Sequence, residues 1–308
     1  MSKGPGLFSD FGKKAKGTHT SISLPLPSLP LAVCCGADAS FDPIFSFADL
    51  LTRDYLSDQK ISISTFTQSG VALTSNVVEK GGLSSGDVAA EYKHENATIG
   101  FKVDTESNVT TTVSVTDYPS STKSIASVKL PDFNSGKLEV QYNHHHAGVT
   151  AALGLNKSPS VDFSATVGTP TIAFGAEASY LTSTGDFSKY NAGVSLTRPD
   201  SNASAILADK GDSIRVSYLH HLEQLNGGAT VAEISRRFST NENTLTVGCS
   251  YVVDSTTLLK AKLNNHGDLG ALLQHEIKAK SFLTVSGSFN TKAFQKTPKF
   301  GVGLSLKP

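Results

Sequence analysis

The C-terminal stretch from Thr244 to Pro308 alternates between apolar and polar residues and contains no helix-length apolar pattern. Its first run places Leu245, Val247 and Cys249 at every second position, with polar or small residues between them. Since successive side chains of a β-strand point to opposite faces, this period of two predicts strands with one apolar and one polar face. Such faces are typical of antiparallel sheets, whose apolar side must be covered by a second sheet or by lipid.

The same alternation extends upstream to Lys60, interrupted by turn signals such as Asn134-Ser135-Gly136. One strand plus its turn takes roughly 10–15 residues, so residues 60–308 predict about 18 or 19 strands. Open twisted sheets rarely exceed about ten strands, and a long meander closes most simply as a barrel. A barrel of about 16 or more strands is too wide for its side chains to fill, and a channel results. We therefore predict an all-β transmembrane up-and-down β-barrel, with a soluble β-sandwich binding module as the alternative.

The composition agrees with a barrel that encloses water. Hydrophobic residues make up 38% of the chain, below the roughly 45–50% that is usual for soluble domains. No apolar run is long enough to predict a transmembrane helix, but a tilted barrel strand needs only about 9–11 residues. Lys plus Arg and Asp plus Glu number 27 each, so no net positive charge is available to attract nucleic acid.

No motif in the sequence predicts an enzyme or a cofactor site. Residues 82–86 match the G-x-S-x-G nucleophile pattern, but they lead into alternating strand residues instead of the helix that this motif requires. The consecutive histidines 144–146 would alternate between faces, so at most two could bind one metal ion. Cys34, Cys35 and Cys249 form an odd set that predicts no disulfide framework and favours a reducing compartment. We expect no catalytic residue, no cofactor and no metal.

Strand parity predicts which charged side chains face the interior of the barrel. Lys260 and Lys262, for example, alternate with Leu259, Ala261 and Leu263. A Lys or Arg that faced lipid at mid-membrane would cost about 2–4 kcal/mol, so these side chains are expected to point inward. Fixed cations along a confined pore concentrate anions. The candidate pore-lining residues of the strands are Lys60, Lys102, Lys129, Arg215, Lys260 and Lys262.

Residues 1–59 are expected to form a separate N-terminal region ahead of a barrel at 60–308. The stretch 4–16 predicts an amphipathic α-helix with a stripe formed by Leu7, Phe11 and Ala15. Residues 17–48 interrupt it, because a proline-rich segment of this kind excludes a helix. Its prolines are Pro25, Pro27, Pro30 and Pro43. Without this insert, Leu50 would continue the apolar stripe, so the insert splits one helix.

A translated intron is our hypothesis for the origin of this insert. Its 32 residues correspond to 96 nucleotides, which keeps the reading frame. Comparison of genomic and transcript sequences tests this hypothesis. An exon that runs without interruption through codons 16–49, with no shorter transcript, would contradict it.

Several segments resemble the mitochondrial porins, or voltage-dependent anion channels, and plant members most of all. The N-terminal KGPGLFSDFGKKAK, KLPDFNSGKLEVQY at 129–142 and LADKGDSIRVSYL at 207–219 are similar to the corresponding stretches of that family. TLTVGCSYVVDSTTLLKAKLNN at 244–265 is similar as well, and the C-terminal signature of the family is matched from Tyr251 through Leu273. The resemblance covers 1–16 and 49–308, and the insert departs from it.

The resemblance implies a barrel of 19 strands whose first and last strands, near 60–67 and 299–307, are parallel. It implies a voltage-gated, weakly anion-selective channel that passes ATP, ADP, phosphate and small ions across the mitochondrial outer membrane. The family's N-terminal helix lies inside the pore, so Lys13, Lys14 and Lys16 would line the constriction. Membrane lipid, nucleotides and small anionic metabolites are the expected partners, and a homo-oligomer and cytosolic kinases are further candidates. The alternative is the related mitochondrial protein-import pore, which has the same barrel with an acidic interior path.

The insert leads to a functional prediction, because a split helix docks differently from a continuous one. Deletion of residues 17–48 is expected to change the voltage dependence of closure, with the full chain showing altered or absent closure. Conductance–voltage curves of both forms in planar bilayers measure this. Identical curves would contradict the prediction.

Overall fold

The chain forms one closed β-barrel, and the computed structural model describes residues 5–11, 50–67, 69–117, 120–222, 228–292 and 297–307. Short 3-10 helices occupy Phe8–Asp10, Phe133–Ser135 and Asp209–Gly211. The strands are β1 (Gln59–Phe66), β2 (Val71–Lys80), β3 (Leu83–His94), β4 (Ala97–Asp104), β5 (Val109–Thr116), β6 (Thr122–Leu130), β7 (Lys137–Asn143), β8 (Ala147–Gly154), β9 (Ser160–Gly168), β10 (Ile172–Leu181), β11 (Asp186–Thr197), β12 (Ser201–Ala208), β13 (Ser213–Leu222), β14 (Gly228–Arg237), β15 (Glu242–Asp254), β16 (Thr257–Asn264), β17 (Asp268–Lys278), β18 (Ser281–Asn290) and β19 (Lys299–Leu306).

Closure of the barrel follows from how the first and last strands pair. Each strand is antiparallel to the next one along the chain, and β1 also pairs with β19 to complete a ring of 19 strands. This last pair is parallel, with Gln59 opposite Val302 and Ile63 opposite Leu306. An odd number of strands in an up-and-down ring requires one such parallel pair. The barrel fold, the strand number and the parallel closure are confirmed, and the sandwich alternative is wrong because one sheet closes on itself.

The two faces of the wall differ as the alternation of the sequence predicts. Large apolar side chains on one face are exposed: Phe174 by 62%, Phe101 by 51% and Val247 by 48%. Exposure of this extent along every part of the ring is typical of a surface that faces lipid. Within the described ranges, no helix is long and apolar enough to cross a bilayer.

The N-terminal region identifies the opposite face as the interior. Residues 6–11 contact the wall at Gly148, Gly175 and Gly193, which lie on β8, β10 and β11. Residues 51–56 contact Gly248 and Gly301, which lie on β15 and β19. Short segments that touch strands from β8 to β19 on one face must lie inside the closed ring.

The α-helix that the sequence predicts at 4–16 is not the structure of residues 5–11. Within 5–11, the helical part is a single 3-10 turn over Phe8–Asp10. The Asp10 carboxylate accepts a hydrogen bond from the Leu7 N–H at 3.1 Å, and Phe11 returns to extended backbone. Side chains three residues apart eclipse in a 3-10 turn, so Phe8 and Phe11 form the buried side instead of the predicted Leu7 and Phe11. Leu50 and Leu51 are helical, while Ala15 and the insert at 17–48 lie outside the described residues.

The assignment of faces predicts opposite outcomes for two adjacent lysine substitutions on β15. Val247→Lys places a charge toward lipid near the middle of the strand and is expected to lower the free energy of unfolding by about 2–4 kcal/mol. Thr246→Lys, the matched control, points into the lumen opposite Glu233 and is expected to change it little. Equilibrium urea unfolding in lipid vesicles measures both. Equal destabilisation by the two lysines would contradict the assignment.

Candidate functional site: the lumen wall and the N-terminal segments

The structure places the six predicted strand cations on the inward face. Lys102 lies beside Thr110, which in turn lies beside Lys129. Lys60 pairs with Gly303, the glycine that faces Leu56 in the lumen. The other three are placed inward by equivalent pairings: Arg215 beside Ile206, Lys260 beside Ser250 and Lys262 beside Gly248. Lys13, Lys14 and Lys16 lie outside the described residues. For all nine residues, a role in ion selectivity stays a prediction.

Acidic residues share the lumen face with these cations. The Ser62 hydroxyl donates to the Asn76 side-chain oxygen at 2.7 Å, and the Asn76 amide donates to Asp87 at 2.9 Å. The Lys102 ammonium lies 3.3 Å from the same Asp87 carboxylate. The positive charge of Lys102 is therefore partly balanced within the wall.

A second acidic group lies on β10, on the same inward face. The Asn191 amide donates to Glu177 at 2.6 Å, and the Lys189 ammonium is 3.8 Å from that carboxylate. On β14, Glu233 accepts a hydrogen bond from the Ser217 hydroxyl at 3.3 Å. A wall that carries both signs of charge has a weaker preference for anions than a ring of lysines alone.

An apolar patch interrupts the otherwise polar lumen and receives Leu50 and Leu51. Both side chains are almost completely buried, at 0% and 1% exposure. The wall residues of this patch are Leu219, Ala229, Val231 and Leu258. Complete burial of a Leu side chain stabilises by about 1.5–3 kcal/mol relative to exposure. The patch therefore holds the segment 50–58, hereafter the linker segment, against β13–β16.

A second patch receives the aromatic residues of the first segment. Phe8 and Phe11 pack together with a ring-centroid distance of 5.4 Å and contact Ala173 and Ile206. Glycine makes room for them, since a Cβ added at Gly175 would lie 2.5 Å from Phe8 and 3.2 Å from Phe11. The Thr166 hydroxyl donates to the Gly6 carbonyl at 2.7 Å and ties the backbone to the wall.

The linker segment is also bound by polar groups of the wall. The Lys262 ammonium donates to the Leu51 carbonyl at 2.8 Å and lies 4.0 Å from the centroid of the Tyr55 ring. The Lys260 ammonium lies 3.8 Å from the Asp54 carboxylate. The Ser286 hydroxyl donates to the Leu56 carbonyl at 2.6 Å.

Burial raises the pKa of the Tyr55 phenol above its ordinary value. This phenol therefore stays neutral across the physiological pH range, because an unperturbed tyrosine already titrates near pH 10.

Sequence reasoning missed the apolar docking patches. Leu219, Val231 and Leu258 occupy inward positions in strands that are apolar on both faces at that point. Strand positions that are apolar on both faces could have indicated a segment bound in the lumen, but an alternation of period two does not identify what covers the inner face.

A closed ring with an apolar exterior, a charged interior and bound terminal segments defines a β-barrel channel. The family model described as eukaryotic porin matches residues 46–301 of the chain. Mitochondrial outer membrane protein porin 2 of Arabidopsis thaliana is 54% identical over 308 residues, which covers 100% of both chains. Mitochondrial outer membrane protein porin 5 of Oryza sativa subsp. japonica is 50% identical, covering 99% of each. The chain belongs to the eukaryotic porin family.

Among solved structures, a triple mutant of the Rhodopseudomonas blastica porin is similar with a TM-score of 0.45 and 8% identity, covering 74% of this chain and 89% of that one.

The close approach at Gly175 predicts that a single methyl group displaces the first segment. Gly175→Ala is expected to push Phe8 and Phe11 off the wall, whereas Gly100→Ala meets only a carbonyl at 3.8 Å and serves as control. The chain contains no Trp, so a Phe11→Trp background gives one fluorescent reporter. In this background we expect the Trp emission to shift to the red with Gly175→Ala and to stay unchanged with Gly100→Ala. Unchanged emission would show that the segment is not held at this glycine.

Proposed function

We propose that the chain forms a voltage-gated, weakly anion-selective channel that passes nucleotides, phosphate and other small ions across the mitochondrial outer membrane. The observation that carries this proposal is the closed 19-strand barrel with basic residues on its inward face, in a member of the eukaryotic porin family. The two relatives described above are named as mitochondrial outer membrane proteins, which supports the location.

Anion preference rests on the inward cations Lys60, Lys102, Lys129 and Arg215. A positive charge in a narrow aqueous passage raises the local concentration of anions and lowers that of cations. Because Asp87, Glu177 and Glu233 share the wall, the preference is weak. Weak selectivity suits a channel for metabolites of different charge.

Voltage dependence requires charge that moves within the electric field of the membrane. Each elementary charge that crosses the membrane field contributes about 2.3 kcal/mol per 100 mV. The N-terminal segments are held by side-chain packing and by hydrogen bonds from the wall to the Gly6, Leu51 and Leu56 carbonyls. Their departure from the wall would break no strand of the barrel. Lys13, Lys14 and Lys16 would supply the moving charge.

The channel function is better supported than the import-pore alternative. Both pores share the barrel, but an import path would have an acidic lining, whereas six basic residues lie on the inward face here. The relatives named above are porins and not import components.

The remaining roles follow from passive transport. A channel of this family needs no catalytic group, and we propose that the chain catalyses no reaction. Its exterior binds membrane lipid, and its interior binds small anionic metabolites transiently. A homo-oligomer and cytosolic kinases are proposed partners.

Reversal potentials in a KCl gradient across a planar bilayer test the selectivity. Lys102→Glu changes the lumen charge by two units, and Lys280→Glu makes the same change in the turn between β17 and β18. Two unit charges acting over about 10 Å of water contribute about 0.8 kcal/mol before screening, so the anion-to-cation permeability ratio should fall about two- to fourfold with Lys102→Glu. A smaller effect is expected with Lys280→Glu. No conductance by the parent chain would refute the channel itself.

A further inference from the structure

Two of the predicted selectivity lysines bind the linker segment in this structure. Lys262 contacts both the Leu51 carbonyl and the Tyr55 ring. The side chain of Lys260 is only 4% exposed and faces Asp54. Lys260 is therefore buried against the segment and Lys262 is half-buried against it, whereas the side chain of Lys102 is 50% exposed.

The contact of Lys262 with Leu51 falls at the end of a helical turn. Leu50 and Leu51 are helical, and Asp54 has a positive φ of 66° shortly after them. The last carbonyls of a helix lack intrahelical partners and carry partial negative charge, so a cation stabilises them. A buried hydrogen bond to a charged donor is stronger than a neutral one. Lys262 thus stabilises the docked form of the segment specifically.

The surrounding wall is shaped for the same segment. A Cβ at Gly248 would lie 2.6 Å from the Leu51 side chain, and a Cβ at Gly270 would lie 3.3 Å from the Tyr55 ring. The small residues thus bring the backbone of the segment within reach of both lysines.

We propose that Lys260 and Lys262 are positioning residues that latch the linker segment to the wall. In the docked form their charges are engaged by Asp54 and by the Leu51 carbonyl. When the segment leaves the wall, two cations become exposed to the lumen, so undocking changes the ion selectivity of the pore at the same time. The coupling of the latch to gating rests on the proposed channel function, whereas the latch itself does not.

Fluorescence quenching tests the latch without any channel measurement. A Tyr55→Trp background keeps an aromatic ring facing the Lys262 ammonium and provides the only Trp of the chain. In the full-length refolded protein, Lys262→Gln is expected to raise the undocked fraction about tenfold and to increase quenching by acrylamide. Lys262→Arg should restore low quenching, and Lys102→Gln, a lumen lysine remote from the segment, should leave it unchanged. Equal quenching of the Lys262→Gln and Lys102→Gln proteins would overturn the latch.

A double-mutant cycle tests the second point of attachment. Lys260→Gln and Asp54→Asn are measured singly and together with the same fluorescent reporter. If Lys260 and Asp54 interact directly, acrylamide quenching in the double variant increases by less than the sum of the increases in the two single variants. Strict additivity would remove Lys260 from the latch.

Bilayer recordings test the coupling to gating separately. Both Lys262→Gln and Lys102→Gln remove one lumen cation, but only Lys262→Gln is expected to close at a lower absolute voltage. The same closing voltage in both variants, alongside increased quenching in the first, would overturn the coupling and leave the latch intact. A parent chain that forms no channel would refute the proposed function, and the quenching result would still decide the latch.

Discussion

Pairing of every strand with two neighbours is the constraint on which the rest of the structure depends. In a bilayer no water is available to backbone N–H and C=O groups, so a sheet can span it only when it closes. Here closure is achieved by the parallel pairing of β1 with β19. Because the backbone groups of the wall are paired between strands, only the side chains meet the surrounding medium. The residue types on each face therefore match the medium on that side. Apolar residues meet lipid, and polar residues meet water in the lumen.

The inward face has a second function besides contact with water. The glycines at 148, 175, 193 and 248 lie under the N-terminal segments. A Cβ added at any of them would lie 3.4 Å or less from an atom of those segments. Apolar residues on β10, β12, β13, β14 and β16 bury Phe8, Phe11, Leu50 and Leu51. The barrel is therefore lined asymmetrically, with its docking surface on one part of the ring. The inward face of β2–β7 is mainly polar, with apolar residues such as Val78 and Ile125 among the polar ones.

The basic residues of the inward face differ in what surrounds them. Lys102 is paired with Asp87 but open to the lumen, whereas Lys260 is buried against the linker segment and Lys262 donates a hydrogen bond to it. A cation that contacts a peptide segment is less available to a permeating anion than a cation that is open to the lumen. Position in the barrel, and not formal charge, thus separates lysines that contact the N-terminal region from lysines that are open to the lumen.

From its spacing the sequence predicted about 18 or 19 strands in a closed ring, and the family resemblance implied 19. The sequence by itself determined the alternating strands and the face to which Lys60, Lys102, Lys129 and Arg215 point. This was possible because a period of two is a local property, and because the cost of charge in lipid excludes the opposite parity. Only the tertiary structure decided which inward residues meet the N-terminal region. Leu258 and Lys262 share one strand face, yet their partners Leu51 and Tyr55 are about 200 residues away in the chain. Contacts of that separation depend on the curvature of the closed wall, which brings β13–β19 around the segment and which no local pattern encodes.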